Sequence, residues 1–218
     1  MILLIYGASG LAKEIFDLVM RSIPDKYEKI YFIDDFTDEA PCYLSESIHF
    51  DSITTRFEDK LKELEGIVAV GEPQYREMLT KRFDETGIRL ATLIDSSAII
   101  SPTARIGEGS IICENASLHA DVNVGRGCII QPSAIIGHDI KIDDYSVLGA
   151  YCAPGGSSVF GKRVFVGMHG TIKEKTIIGD DAIIGMGAVV YKDVEAGMTV
   201  IGNPARVTRG NNDHKVFK

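Results

Sequence analysis

A histidine and an aspartate stand side by side at His138 and Asp139, directly after a glycine. A neutral imidazole can accept a proton from an attacking amine or hydroxyl, and its ordinary pKa of about 6.5 suits that task near neutral pH. A neighbouring carboxylate can fix the imidazole tautomer and stabilise the imidazolium that forms. The pair therefore predicts a general base, His138, with Asp139 as its helper. The alternative is that both are exposed polar residues without a chemical role.

A second candidate site is the segment GASGLAK, residues 7–13, between a predicted strand and a predicted helix. Glycines let the backbone approach a phosphate, and a helix N-terminus presents free N–H groups to it. Asp34 and Asp35 end the next predicted strand, about where an acidic residue of a nucleotide-binding fold reaches ribose or base. The loop and the two acids together predict a nucleotide site. Because the GxGxxG motif is incomplete, a purely structural sheet is the alternative.

The first 90 residues alternate short apolar runs with charged, helix-like stretches. We predict strands at ILLIYG, KIYFIDD and IVAVGE, and helices at LAKEIFDLVMRSI, FEDKLKELEG and PQYREMLTKRFDETG. This βαβ alternation predicts an α/β unit with a small, mostly parallel sheet covered by helices. Residues 37–56 give no clear pattern.

From Ile94 onward the period changes to six residues. Of seventeen consecutive steps of six, all but Pro154 carry a large apolar residue: Ile94, Ile100, Ile106, Ile112, Leu118, Val124, Ile130, Ile136, Ile142, Leu148, Phe160, Val166, Ile172, Ile178, Ile184 and Val190. A small residue stands four positions after most of them, and a glycine often follows directly. A period of six does not follow the 3.6-residue turn of a helix, but it does match a solenoid of short strands. We predict a three-sided coil with the large residues inside and the glycines in tight turns of positive φ.

Composition excludes several classes of function. The formal net charge is −8, which argues against general binding to nucleic acid or to an anionic membrane. No apolar run approaches the ~18 residues of a membrane-spanning helix, and the opening MILLIYGASG reads as a buried strand and not as a secretion signal. The four cysteines form no CxxC pair, so we expect free thiols in a reducing cytoplasm. His119, His138 and His169 fall at different repeat positions, so we expect no metal site.

The repeat, together with the segment IGNPAR at residues 201–206, resembles the hexapeptide-repeat acyltransferases, whose repeats build a left-handed parallel β-helix. The motifs YGASG, FIDD and GHD narrow the resemblance to one branch. That branch holds sialic acid O-acetyltransferases and the UDP-4-amino-sugar N-acetyltransferases of the bacillosamine pathway. The resemblance implies a Rossmann-like nucleotide-sugar-binding domain over residues 1–90. It implies a β-helix acetyltransferase domain with a C-terminal tail over residues 91–218.

For this branch, the resemblance implies direct acetyl transfer from acetyl-CoA to the amino group of a UDP-4-amino-4,6-dideoxy sugar. His138 would be the base and Asp139 its helper. Our own hypothesis adds the N–H of Gly155 or Gly156 as a stabiliser of the oxyanion. The resemblance places the UDP-sugar on Ser9, Gly10, Leu11, Asp34 and Asp35, and acetyl-CoA on Val147, Gly167, Met168, Gly185, Met186 and Arg206. It also implies a homotrimer with active sites between adjacent β-helices, and no metal.

Two positions depart from the family pattern. Val147 stands where some relatives carry a histidine that contacts acetyl-CoA, and Leu11 stands where a related loop carries a histidine. Two other functions stay open. One is O-acetylation of a sugar acid of the sialic acid type, which would use the same base. The other is a non-catalytic module that binds a nucleotide sugar.

Overall fold

The N-terminal part of the chain is a parallel sheet flanked by helices. The computed structural model describes residues 1–36 and 46–217. In the described part of the N-terminal region, five strands pair in the order β3-β2-β1-β4-β5, all parallel. The strands are β1 (Ile2–Tyr6), β2 (Lys29–Ile33), β3 (Glu46–Ile48), β4 (Leu64–Val68) and β5 (Arg89–Leu90). The helices are α1 (Gly10–Ser22), α2 (Ile53–Arg56) and α3 (Pro73–Thr86), with 3₁₀ turns at Phe50–Ser52 and Glu58–Glu63.

Most of the predicted elements are confirmed here. The third helix begins at Pro73 and ends at Gly87, whose φ of 72° gives the left-handed C-cap that favours glycine. The helix predicted at FEDKLKELEG is wrong, because only a 3₁₀ turn forms and β4 begins already at Leu64. Leu64 pairs with Ile2 at the centre of the sheet, so strand pairing overrides the helical pattern. The short strands β3 and β5 were not predicted, and the free-thiol prediction for Cys42 falls outside the described residues.

The stretch of residues 93–190, all of it described, forms seventeen two-residue strands, each the flat part of one six-residue unit. They are β6 (Leu93–Ile94), β7 (Ile99–Ile100), β8 (Arg105–Ile106), β9 (Ile111–Ile112), β10 (Ser117–Leu118), β11 (Asn123–Val124), β12 (Ile129–Ile130), β13 (Ile135–Ile136), β14 (Lys141–Ile142), β15 (Val147–Leu148), β16 (Ala153–Pro154), β17 (Val159–Phe160), β18 (Phe165–Val166), β19 (Thr171–Ile172), β20 (Ile177–Ile178), β21 (Ile183–Ile184) and β22 (Val189–Val190). Two longer strands, β23 (Met198–Ile201) and β24 (Arg206–Gly210), close the coil with an antiparallel pair.

Every third strand stacks in parallel on the one a coil earlier, so the coil has three faces. The first face holds β6, β9, β12, β15, β18 and β21, and the second holds β7, β10, β13, β16, β19 and β22. The third face holds β8, β11, β14, β17 and β20. The strand pairing of the second face breaks between β13 and β16. Pro154 in β16 has no N–H to donate to the preceding coil, which explains the break.

The predicted interior is confirmed. The large residue of each step is buried from Ile112 onward, Pro154 included, while Ile94 at the open end of the coil is 37% exposed. The small residues four positions later, among them Ala116, Cys128 and Ser146, are fully buried. The large residues fill the prism and the small ones allow its corners to close, which is the packing expected of a solenoid.

The role predicted for the repeat glycines is wrong. The glycine that directly follows each large residue does not have a positive φ. Instead, a Cβ on Gly107 would lie 2.6 Å from the backbone of Gly125, and one on Gly149 would lie 2.5 Å from the carbonyl of Val166. The positive φ falls two residues later, mostly at non-glycine positions such as Asp139 and only at a few glycines such as Gly127. Close stacking of coils, and not turn geometry, therefore requires these glycines.

The N-terminal domain covers the first face of the coil from edge to edge. Leu3 and Ile15 share one apolar core with Leu93, Ile129 and Val147, which point outward from that face. Because β6 belongs to this shared core, a division of the chain into two domains at residue 90 stays a prediction. None of the helices formed by the described residues has the length and hydrophobicity needed to span a lipid bilayer.

Ion pairs fix both edges of this contact. Along one edge, Arg21 at the end of α1 binds the Asp95 carboxylate through Nε at 3.0 Å and Nη2 at 2.5 Å. Along the other edge, α3 meets two arginines of the coil. Its Asp84 accepts two bonds from Arg126, and its Glu77 accepts one from Arg163 at 2.9 Å. The position of the domain on the coil is therefore set by charged contacts as well as by apolar burial.

The Asp95 contact predicts a dependence of stability on pH. Burial by itself raises the pKa of Asp95, but hydrogen bonds from Ser97, Arg21 and Ser22 outweigh it and lower the pKa to about 2. A lowered pKa stabilises the fold above the unfolded-state value and loses that contribution as pH falls through the folded-state value. We expect Asp95→Asn to lower the free energy of unfolding by about 2 kcal/mol near pH 7. The difference from the unaltered chain should shrink between about pH 4 and pH 2, measured by urea denaturation. The exposed Asp143→Asn is the control, and a difference constant with pH would contradict the assignment.

Candidate functional site

His138 and Asp139 lie at the corner between the second and third faces, which we call the histidine corner. The imidazole Nδ1 and the carboxylate Oδ2 are 2.7 Å apart, and the two side chains are 64% and 56% exposed. The carboxylate accepts only from a protonated Nδ1, so this contact leaves Nε2 as the unprotonated nitrogen of the neutral ring. The backbone is held from both sides, since the N–H of Asp139 donates to Ala120 at 2.9 Å and the carbonyl of His138 accepts from Ser157 at 2.8 Å.

Gly156, one coil further on, lies directly against the ring. A Cβ at this position would be 2.6 Å from Nε2 of His138, so only glycine leaves room for the imidazole. The two candidate oxyanion donors, Gly155 and Gly156, differ in whether their N–H already has an acceptor. The N–H of Gly155 donates to the carbonyl of Ile172 at 2.8 Å, whereas the N–H of Gly156 has no acceptor among the described residues. The corner therefore carries a basic nitrogen, and the glycine that lies against the ring has an N–H that the coil pairing does not use.

A cavity of about 480 Å³ opens at the carboxyl ends of β1, β2 and β4. In a parallel sheet, ligands bind at this edge, where neighbouring strands lead in opposite directions. Its wall combines Gly7, Asp34 and Asp35 with residues of α3 and of the strand ends: Tyr6, Ile33, Phe36, Val70, Tyr75, Met78, Leu79 and Arg82. The lining is mostly apolar and aromatic with a few charged groups, which is typical of a small-molecule site.

Asp35 is already engaged within the protein. Its Oδ2 accepts from Tyr6 at 2.5 Å and from Arg82 at 2.6 Å, and its Oδ1 accepts from the N–H of Phe50 at 3.0 Å. Burial pushes the pKa of Asp35 upward, but the bonds from Tyr6 and Arg82 outweigh it and hold the pKa below its ordinary value. The group is a fixed carboxylate that orients Arg82 and Tyr6 at the cavity wall. Asp34 lies beside it in the same wall, and its Oδ1 accepts from the N–H of Phe36 at 2.8 Å.

The other residues predicted to bind the nucleotide sugar do not line this cavity. Ser9 is the N-cap residue of α1 and makes no side-chain capping bond. A Cβ on Gly10 would meet no atom within 4 Å, so packing does not require this glycine. Leu11 points the other way. It packs against the core between the domains and lines a separate cavity of about 160 Å³ with Cys113, so its side chain is not available at the large cavity.

The residues predicted for acetyl-CoA fall into three groups. Val147 is 1% exposed in the core between the domains, so it does not line a groove, contrary to the expectation. Gly167 and Gly185 have a packing reason, because a Cβ would lie 2.7 Å from the N–H nitrogen of Met186 or 2.5 Å from Ile201. Met168 and Met186 are 45% and 77% exposed, one coil apart at the corner between the first and second faces.

Arg206 lies in a cavity of about 380 Å³ at the far end of the coil, which Lys192 and Tyr191 also line. The cavity therefore carries two cations that could meet phosphate. Beside the exposed methionines, the rings of Tyr151 and His169 stack at 5.2 Å with an interplanar angle of 7°. This corner presents a continuous strip of exposed apolar and aromatic groups.

One chain does not bring these candidate sites together. The histidine corner lies between the second and third faces, opposite the first face, which the N-terminal domain covers. The methionine corner lies at the other edge of the second face. The described residues include no group of three or more histidine, cysteine or acidic side chains that could hold a metal ion.

Sequence reasoning missed several residues. Gly156 could have been singled out, because two glycines in succession occur there in a repeat that otherwise places one at this step. Tyr75, Met78 and Arg82 carry no such signal. They belong to a regular amphipathic helix, and only the packing of α3 on the sheet brings them to Gly7.

Comparison with known proteins extends these observations. The model of the PglD N-terminal domain family matches residues 2–83. The acetyltransferase domain of PglB from Neisseria gonorrhoeae FA1090, solved with acetyl coenzyme A, has a TM-score of 0.87 and 28% identity. The match covers 95% of this chain and 98% of that one. A mutant of perosamine N-acetyltransferase from Caulobacter crescentus, solved with CoA and GDP-perosamine, has a TM-score of 0.86 and 26% identity. That match covers 95% of this chain and 96% of that one.

A curated relative matches a smaller share of the chain. Galactoside O-acetyltransferase from Escherichia coli K12 is 27% identical over 163 residues, which are 67% of this chain and 75% of the relative.

The contact between Gly156 and the imidazole predicts the effect of one added methyl group. Gly156→Ala should leave the fold intact, since the exposed ring can rotate away, but it should displace His138 from the corner. We expect the carbon-bound proton resonances of the His138 ring to shift in NMR spectra, with His138→Ala used to assign them. The resonances of His119 and His169 serve as internal controls. Unchanged His138 resonances would show that the ring does not rest on Gly156.

Proposed function

We propose that the chain is a hexapeptide-repeat, left-handed β-helix acyltransferase of the nucleotide-amino-sugar branch, and that it acetylates the amino group of a nucleotide-linked sugar. The donor is acetyl-CoA, in keeping with the CoA complexes of its structural neighbours. The observation that carries the proposal is the histidine corner. It combines an exposed imidazole, oriented by a carboxylate, with a free N–H donor beside Nε2.

His138 acts as the general base. As the sugar amine attacks the thioester carbonyl carbon, Nε2 accepts a proton from the amine and the imidazolium forms. Asp139, 2.7 Å from Nδ1, stabilises that positive charge and keeps the ring in place. When the carbon–sulfur bond breaks, the imidazolium returns its proton to the leaving thiolate. The amide product and CoA then carry all the atoms of the two substrates.

Gly156 supplies the oxyanion donor. The attack converts the thioester carbonyl to an alkoxide-like oxygen, which a fixed N–H stabilises far better than mobile water does. Of the two glycines considered, only Gly156 has an N–H that is not used in the pairing of the coils. Removal of one such donor typically lowers kcat by about 10²–10³.

The cavity at the sheet edge holds the nucleotide. Tyr75 and Phe36 offer aromatic surface for a base, and Arg82 is a cation fixed by Asp35. We propose a UDP-linked 4-amino-4,6-dideoxy sugar as the acceptor. One structural neighbour was solved with GDP-perosamine, so a GDP-linked amino sugar is the alternative acceptor. The experiment must distinguish the UDP-linked from the GDP-linked sugar.

The donor lies along the methionine corner. Its pantetheine arm matches the exposed strip of Met168 and Met186, and Lys192 and Arg206 are placed to meet its phosphates. Because the histidine corner, the methionine corner and the nucleotide cavity lie apart on one chain, we propose that neighbouring copies combine them. A cyclic homotrimer with its active sites between adjacent coils meets this requirement.

The proposal is tested by release of CoA thiol from acetyl-CoA with a panel of UDP- and GDP-linked amino sugars and free sialic acids. We expect turnover with a nucleotide amino sugar and a loss of 10²-fold or more in His138→Ala. A separate assay measures binding. The chain has no tryptophan, so Phe36→Trp, at a position 98% exposed in the cavity wall, gives a single fluorescent reporter of nucleotide binding.

The outcomes separate the alternatives. Nucleotide binding that persists in His138→Ala while turnover is lost assigns catalysis to the histidine corner. Turnover with sialic acids alone would replace the proposal by O-acetylation, and nucleotide binding without any turnover would leave a non-catalytic module.

A further inference from the structure

Arg76 is a fully buried cation without a carboxylate partner. Among the described residues it is the largest of the fully buried side chains, and it lies in the first turn of α3. No acidic group within the described residues forms an ion pair with it, in contrast to Arg126 and Arg163 nearby. Burial lowers the pKa of Arg76 to about 10, yet the side chain stays charged at neutral pH.

All of its hydrogen bonds go to backbone carbonyls of two separate structures. Nη1 donates to Val70 at 2.7 Å and to Gly71 at 3.3 Å, in the loop between β4 and α3. Nε donates to Gly127 at 2.6 Å and Nη2 donates to Tyr145 at 2.5 Å, in two successive coils of the β-helix. One rigid, planar guanidinium therefore joins the loop to the coil.

The loop of residues 70–72, which we call the pocket loop, bears directly on the proposed site, because Val70 lines the nucleotide cavity. The chain end holds the same loop from the other side. The Glu72 carboxylate accepts from the N–H groups of Val216 and Phe217, each at 3.0 Å. The Phe217 ring also packs edge-on against Phe165 of the coil, with centroids 5.4 Å apart.

Simple attachment of the two domains does not require such an arrangement. A buried cation without an ion-pair partner is costly even though the charge of Glu72 supports it, and α3 already has partly buried ion pairs to the coil through Asp84 and Glu77. What Arg76 adds is a fixed geometry, since its fork sets the pocket loop at one distance and angle from the coil.

We propose that Arg76 is a positioning residue that sets the nucleotide cavity in register with its own coil, and so with the neighbouring copy whose imidazole receives the proton of the sugar amine. The inference rests on the proposed function, because it takes the cavity to be the nucleotide site. A misplacement of about 1 Å far from the reacting atoms can cost 10²-fold in rate. Loss of the guanidinium fork should therefore lower catalysis more than it lowers the affinity for acetyl-CoA.

The test compares Arg76→Lys with Arg126→Met. Lysine keeps the charge but cannot reach four carbonyls at once, whereas Arg126→Met loosens the same helix without touching the pocket loop. We expect Arg76→Lys to lower kcat/KM for the nucleotide sugar at least 10-fold and to leave KM for acetyl-CoA within 2-fold. Arg126→Met should change both by less than 2-fold, at temperatures where both variants are folded. If Arg76→Lys does not fold, Glu72→Ala carries the test, because it releases the same loop from the chain end.

Two results overturn the inference and are distinguishable. If folded Arg76→Lys keeps the kcat/KM of the unaltered enzyme, or loses no more than Arg126→Met does, Arg76 is only a structural residue and the proposed function stands. If the Phe36→Trp reporter in the otherwise unaltered chain shows no response to UDP- or GDP-sugars and no turnover occurs, the proposed function fails, and the inference fails with it.

Discussion

The structure depends on close stacking of successive coils. Each six-residue unit sends one large side chain into the prism, and where glycine follows that residue, as at Gly107 and Gly149, a Cβ would lie within about 2.6 Å of the backbone of the next coil. The strands are only two residues long, so no coil could hold its shape alone. Stability comes from repetition, and so does the position of the histidine corner. His138 is exposed, yet its backbone is bonded to the coil before it and the coil after it.

The repeat is irregular at one place, next to His138. Pro154 interrupts the second face, and the pair Gly155 and Gly156 follows at once. The ring of His138 occupies the space that a side chain at Gly156 would fill, and the N–H of Gly156 stays out of the strand pairing. The N–H at this repeat position is also left out of the coil pairing elsewhere, for example at Glu108 and Ala120. What differs here is that Gly156 has no side chain, so the imidazole lies against its backbone.

The first face carries a different constraint. Its outward side chains are apolar and the N-terminal domain covers them, which fixes the nucleotide cavity relative to the coil. Arg76 refines that placement by donating to backbone carbonyls, whose positions are fixed by the fold. The ion pairs of α3 to the coil join two side chains instead, and side chains can adjust. The cavity belongs to the domain on the first face, whereas the histidine corner joins the other two faces. This separation is why we propose that a reaction needing both draws them from different copies.

The sequence predicts the coil well, because a period of six at seventeen steps leaves no other regular structure, and it predicts His138 as the chemically distinctive residue of that coil. It predicts α1 from the helical spacing of its apolar residues, and α3 from the proline that begins it and the glycine that ends it. It does not predict the cavity, because Tyr75 and Arg82 meet Gly7 only through packing of α3 on the sheet. Nor does it distinguish Arg76 from Arg82, which lies six residues later on the same helix and is half exposed at the surface instead of buried. The burial of Val147 and Leu11 was missed because their neighbours come from the other domain.

The central claim is that each active site combines the imidazole of one copy with the nucleotide cavity of another. The most direct measurement is the acetyltransferase activity of co-expressed His138→Ala and Met78→Trp chains, the second of which fills the cavity from its wall. Each variant alone should be inactive. If sites are shared, random mixing restores about a quarter of them, since each needs one intact element from each of two copies. Mixed assemblies that stay as inactive as the separate variants would contradict the account.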